Sequence, residues 1–105
     1  MNRELTAKEF EEFLNKKDTI LLDVRESYEY AESHIEDAKL VPSSNFWSHF
    51  EDLKLGKDDQ IALYCHTGSR SMGVLNALLE AGYKNSAHLE RGIIDWHGQG
   101  KKLVR

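Results

Sequence analysis

The chain has 105 residues, with 14 basic and 18 acidic side chains, a formal net charge of −4, 40% apolar residues and a single cysteine. That balance argues against general nucleic-acid binding, which needs a basic face. It also excludes an internal disulfide and a thiolate zinc site, and no apolar run is long enough for a transmembrane helix. The length fits one domain, 1–105, with one modest core. The opening MNRELTAKEF carries no apolar leader, so the cytoplasm is the expected compartment.

Taken in order, Thr6 and Glu9 form a capping-box pattern ahead of Phe10, Phe13 and Leu14, which share one face of a short helix. Ile20 to Val24 reads as a strand, with Asp23 and Arg25 at its end. Ser27 is the expected cap of a brief helix through Tyr28, Tyr30 and Ala31. His34 and Ile35 follow in a turn. Lys39 to Val41 reads as a second strand, stopped by Pro42. Ser43 or Ser44 is expected to cap a helix carrying Phe46, Trp47, Phe50 and Leu53, and Gly56 to Asp59 is a turn. Ile61 to Tyr64 is an apolar run bounded like a buried strand. After the loop from Cys65 to Arg70, apolar residues recur at helical spacing: Met72, Leu75, Leu78 and Leu79. Gly82 ends that helix. Ser86 to Leu89 is another strand, and Gly92 opens a last helical turn with Ile93, Ile94 and Trp96. The basic, glycine-broken tail is expected to be solvated. A further strand near the N-terminus is too polar to place.

Alternating strands and helices imply an α/β domain: a mostly parallel central sheet with helices on both faces. The ends of the strands at Asp23, Cys65 and Leu89 then gather at one edge of the sheet, where open α/β sheets hold ligands. Cys65 is the point of interest. A lone cysteine is commonly a small buried apolar residue. Here it stands between a strand and a helix N-terminus, where loop amides and helix N–H groups can converge on an anion and favour the thiolate. Gly68 is expected to have a positive φ that lets amides point inward. Ser69 and Ser71 are helix caps first and substrate contacts second. Arg70 offers a fork of donors for an oxyanion, or else a salt bridge to Asp23 or a nearby carboxylate. His66 is expected to face solvent. Asp23 and Arg25 read as an ion pair, with Arg25 able to line the mouth of the site.

Four stretches, taken together and in order, resemble the rhodanese family of sulfurtransferases. Asp23-Val24-Arg25 with Glu29-Tyr30 is similar to its D-V-R-x-x-x-E-[YF]. His34-Ile35 with Ala38 and Pro42 is similar to G-H-I-x-G-A-x-x-[IV]-P. Cys65 to Ser71 is similar to C-x-x-G-x-R-S, and Leu89 to Ile93 with Trp96 to L-x-G-G-[IVF]-x-x-W. Three positions depart from the pattern: Ser33, Asp37 and Arg91 stand where the family has glycine. The resemblance implies a single rhodanese-like domain in which Cys65 takes a sulfane sulfur from thiosulfate or a persulfide. Cys65 then carries it as a persulfide and passes it to cyanide, a thiol or a protein cysteine. His66, Thr67, Gly68, Ser69 and Arg70 would surround the small anionic donor, with Arg25 and Arg91 at the mouth. No cofactor or metal is implied, nor a nucleic-acid or membrane partner, and a monomer is expected.

Two alternatives stand beside that reading. One is a sulfur carrier or regulatory binding module without broad turnover. The other is a Cys-based phosphatase or arsenate reductase. It is disfavoured because only four residues, His66 to Ser69, separate Cys65 from Arg70. Loops that encircle phosphate hold one residue more, and no acid stands out to protonate a leaving group.

Overall fold

The computed structural model describes residues 2–105. Among them, five strands and five α-helices alternate: β1 (Glu4–Leu5), α1 (Ala7–Leu14), β2 (Ile20–Asp23), α2 (Ser27–Glu32), β3 (Lys39–Leu40), α3 (Phe46–Asp52), β4 (Ile61–Tyr64), α4 (Ser69–Glu80), β5 (Ser86–Leu89) and α5 (Gly92–Gly98). The strands form one sheet in the order β1-β5-β4-β2-β3, and every pairing is parallel. The N-terminal strand too polar to place from sequence is Glu4–Leu5, which pairs with His88 and Leu89 at the sheet's edge.

Residue alternation along the buried strands splits the core into two layers. Ala62 and Tyr64 of β4 join Phe10, Phe13, Ile93 and Trp96 of α1 and α5. Ile61, Leu63 and Cys65 join Phe46, Phe50, Val74, Leu75 and Leu78 of α3 and α4 on the opposite face. Both faces are therefore covered, as a parallel sheet requires.

Local signals account for most boundaries. Thr6 Oγ1 accepts from the Glu9 N–H (3.2 Å) and Glu9 Oε1 from the Thr6 N–H (2.9 Å), which completes the capping box of α1. Gly82, at φ +96, ends α4 as expected. Two caps differ from expectation. Residue Glu26, not Ser27, precedes α2, and Glu29 Oε1 reaches back to accept from its N–H. Neither Ser43 nor Ser44 caps α3. They open a 3-10 turn, Ser43–Asn45, and Ser44 Oγ donates to Glu26 instead. The tail is also tied down: Val104 and His34 exchange both backbone hydrogen bonds at 2.8 Å, and Lys101 pairs with Glu11.

The chain leaves β2 toward β3 on one side of the sheet and leaves β4 toward β5 on the other. The carboxyl ends of β2 and β4 thus flank the point where the connections diverge, and open α/β sheets form their ligand crevice there. Asp23 ends β2, and Cys65 follows β4 at that point.

Candidate active site

Cys65 is fully buried. Its Sγ accepts from the backbone N–H of Gly68 (3.2 Å) and of Ser71 (3.3 Å), and it lies 3.5 Å from Ser71 Oγ. Among the described residues, Gly68 and Ser71 alone give their N–H to the Cys65 Sγ. Ser71 lies beyond the expected loop because the chain has already turned into α4, whose first-turn N–H groups lack carbonyl partners within the helix. Two amide hydrogens and the positive end of a 12-residue helix therefore meet the sulfur. That arrangement suits a sulfur carrying negative charge, since hydrogen bonds to ionised acceptors are the stronger kind.

The loop is set by two close backbone approaches. Gly68 caps α4 at φ +104, and a Cβ there would lie 2.0 Å from the Glu90 carbonyl oxygen. Gly92, at φ +71, would place a Cβ 2.1 Å from the His66 carbonyl oxygen and 2.7 Å from the Thr67 nitrogen. The Ile93 N–H then donates to the Cys65 carbonyl (2.9 Å) and the Ile94 N–H to that of His66 (3.3 Å). The cradle thus rests against the start of α5, backbone to backbone. Positive φ was expected at Gly68. The part played by Gly92 was not, although its glycine motif was a usable signal.

The fork of Arg70 is taken up by a carboxylate of the chain itself. Its Nη1 and Nη2 bind the two carboxylate oxygens of Glu29 at 2.7 and 2.9 Å. The carboxylate partner is Glu29 rather than Asp23. The Arg70 guanidinium holds Glu29 down to about 2, against the resistance of partial burial, and the pair raises Arg70 in return. Arg25 is buried. Its Nε and Nη2 bind Asp23, with Nη2 at 2.7 Å from Oδ2, and Nη2 also donates to the Ser33 carbonyl (2.6 Å). The Tyr64 hydroxyl donates to the same Asp23 carboxylate (2.7 Å) and accepts from the Ile35 N–H (3.0 Å). Burial, then the Asp23 charge, pushes the Tyr64 phenol well above its ordinary range. Asp23 and Arg25 are therefore the expected ion pair. Arg25 also edges a cleft of about 250 Å³ beside the loop, shared with Glu29, His66, Ile93, Ile94 and His97.

His66, Thr67 and Ser69 are exposed, as a loop with inward amides demands. Ser69 does not cap α4, since Gly68 holds that position without a side-chain bond. Arg91 is not at this mouth. It is exposed and lines a different cleft, with Thr6, Lys8, Asp95 and Lys101. The chain turns at Arg91 and Gly92 to open α5: the Gly92 backbone packs on the loop, and Arg91 lies beside the start of α1. At φ −104 an arginine replaces the family glycine without strain. Ser33 (φ −171) is ordinary extended backbone, whereas Asp37 occupies the left-handed region at φ +71, which aspartate tolerates better than most residues.

The structure is a parallel α/β domain with a buried thiol in an amide cradle at the crossover point. Residues 6–99 match the description of the rhodanese-like domain, and the chain belongs to that family. It is similar to the tRNA uridine(34) hydroxylase of Photorhabdus laumondii, 36% identical over 96 residues covering 88% of this chain and 27% of the relative. It is equally similar to the probable adenylyltransferase/sulfurtransferase MoeZ of Mycobacterium tuberculosis, 36% identical over 90% of this chain and 24% of that protein. The chain thus spans about a quarter of the length of these curated relatives. Among solved structures it resembles a rhodanese-related protein from Thermoplasma volcanium (TM-score 0.84, 28% identity, 97% of both chains). It also resembles a thiosulfate sulfurtransferase from Pseudomonas aeruginosa (TM-score 0.84, 26% identity, 99% of this chain and 20% of that one).

Proposed function

We propose that this domain is a sulfurtransferase that moves a sulfane sulfur from thiosulfate or a persulfide to a thiophilic acceptor through a persulfide on Cys65. The observation that carries the reading is the Cys65 sulfur held between the Gly68 and Ser71 N–H groups. The thiolate attacks the outer sulfur of the donor. For thiosulfate, the bond from that sulfur to the sulfonate breaks, and sulfite leaves with the electron pair. Cys65 keeps the sulfane sulfur as an anionic persulfide. An acceptor such as cyanide, a thiol or a protein cysteine then attacks the outer sulfur and regenerates the thiolate. Charge is conserved in both halves, and no cofactor or metal enters. These 105 residues hold no second cysteine, so the acceptor lies outside them.

The Cys65 thiol must stay free of disulfides to accept the sulfane sulfur, which suits a reducing compartment such as the cytoplasm. Among the described residues no helix is long and apolar enough to cross a membrane. A monomer with a small anionic donor and a thiol or protein-cysteine acceptor completes the proposal. Complete burial of the sulfur favours a second reading, a carrier that accepts sulfur and hands it on slowly.

The test is an intact mass under non-reducing conditions after incubation with thiosulfate. A gain of one sulfur atom, reversed by cyanide with release of thiocyanate and absent in Cys65→Ser, is the expected result. A Cys65→Ser variant that still turned over thiosulfate would remove Cys65 from the role. Loading without catalytic turnover would select the carrier.

A further inference from the structure

The hydrogen-bond chain does not end at the sulfur. Ser71 Oγ, 3.5 Å from Cys65 Sγ and 3.3 Å from the Gly68 carbonyl oxygen, lies 2.7 Å from Nδ1 of His88. Both Ser71 and His88 are buried. Nε2, the other ring nitrogen, is also buried, and among the described residues it has no hydrogen-bond partner. The nearest carboxylate oxygen, Glu4 Oε1, stands 3.8 Å away, inside ion-pair range and beyond a hydrogen bond. This geometry follows from register. In β5, Ser86 and His88 face α4 while Ala87 and Leu89 face α1 and α5, and Glu4 pairs directly with His88 across β1. A buried imidazole with one nitrogen on a nucleophile's hydroxyl neighbour and the other turned toward a carboxylate has no evident packing purpose, since an apolar residue would fill the same space.

We propose that His88 is a positioning residue that takes up the Cys65 proton through Ser71. This rests on the sulfurtransferase reading for its purpose but not for its test. As the thiol ionises, its proton passes from Sγ to Ser71 Oγ, and the hydroxyl proton of Ser71 passes to His88 Nδ1. The thiolate and the imidazolium form together, and no electrons change hands. Nδ1–H then donates to Ser71 Oγ, whose own O–H turns to the sulfur and becomes a third donor beside the Gly68 and Ser71 amides. Nε2–H faces Glu4. The persulfide keeps the same negative charge, so the proton stays on the ring throughout turnover.

The charges around the ring agree with this. From β1 it faces Glu4. Glu90, just past β5, adds a second negative charge. From α4 it faces Ser71, beyond which lies Cys65, and from β4 its partner is Leu63. Burial pushes the imidazole down from its usual range, with Glu4 and Glu90 opposing, so with a neutral thiol the ring is a neutral acceptor. A thiolate beside Ser71 supplies the further anion that favours the charged ring.

The experiment follows the rate of Cys65 alkylation by iodoacetamide against pH, with imidazole nitrogen NMR of His88. It is run on the wild-type protein and on His88→Leu, Ser71→Ala and Ser71→Thr. Iodoacetamide is neutral and needs no sulfur donor, so the result is independent of whether thiosulfate is the substrate. Charge-assisted hydrogen bonds of this kind imply that His88→Leu and Ser71→Ala alkylate roughly tenfold more slowly at a pH below the wild-type midpoint, with the midpoint moved upward. Ser71→Thr, which keeps the hydroxyl, restores the wild-type profile. The His88 nitrogen shifts should move in step with Cys65 ionisation and lose that step in Cys65→Ala. Identical alkylation profiles in wild type and a well-folded His88→Leu would overturn the proposal. So would His88 nitrogen shifts that follow the same pH course with and without the Cys65 thiol.

Discussion

The ion pair between Glu29 and Arg70 ties α2 to the helix that carries the cradle, and it makes a pH-dependent contribution with a definite sign. Replacing Glu29 by Gln keeps the shape and removes the charge. Glu29 Oε1 accepts from both Arg70 Nη1 and the Glu26 N–H, and Oε2 accepts from Arg70 Nη2. The fall of Glu29 from the usual 4.5 to about 2 corresponds to at most about 3 kcal/mol. About a third of the Arg70 side chain is open to water, so solvent screening reduces this to about 1–2 kcal/mol. For a domain of this size the melting temperature of Glu29→Gln should fall by roughly 5–10 °C at pH 7. A carboxylate with a lowered folded-state pKa stabilises above its unfolded value, near 4.5. That stability is lost as pH falls toward about 2. The gap between wild type and variant should therefore shrink by more than about half between pH 7 and pH 3. Thermal melts followed by circular dichroism across that range are the assay. A gap of constant size at every pH would show that the loss comes from packing or the Glu26 contact, and the electrostatic reasoning would fail.

Two further outcomes follow from backbone and buried polar geometry. In Gly92→Ala the new Cβ would lie 2.1 Å from the His66 carbonyl oxygen at a φ of +71, so the loop must lift from α5. A loss of about 2–4 kcal/mol in urea unfolding and faster alkylation of Cys65 are expected, and a near-native urea midpoint would contradict the close approach. Tyr64→Phe strands the Ile35 N–H in the core and removes one donor from Asp23 Oδ2, which keeps its bonds to Arg25. It should cost about 1–3 kcal/mol with an unchanged m-value, and an unaltered midpoint would mean that neither group depends on the hydroxyl.

The alternation of strands and helices, the thiol at the end of a strand and the glycine at φ > 0 were legible because each rests on local chemistry. Apolar periodicity sets the elements, and a missing Cβ sets the turn. The capping box of Thr6 and Glu9 was legible for the same reason, since its partners are three residues apart. The Glu4–Leu5 strand was not. Two residues carry no periodicity, and only a partner strand from the far end of the chain makes them a strand. The cap of α3 misled because Ser44 bonds to Glu26, 18 residues away, and that of α2 because Glu26 takes the cap position ahead of Ser27. Arg70 and Arg91 show the remaining limit. Sequence places a cation near a site, but its direction depends on which carboxylate or cleft the fold sets against it.

Composition and motif thus determined the class of fold, its single cysteine and the strand-loop-helix that holds it, all of which follow from neighbours along the chain. Three facts needed the tertiary structure. Glu29 holds Arg70 across 41 residues. The start of α5 props the cradle through Gly92. Ser71 joins the thiol to a buried histidine 17 residues further on. Each is a contact between side chains or backbones brought together only by parallel pairing of distant strands. The energy of such contacts depends on distances of a few tenths of an ångström that no local pattern encodes.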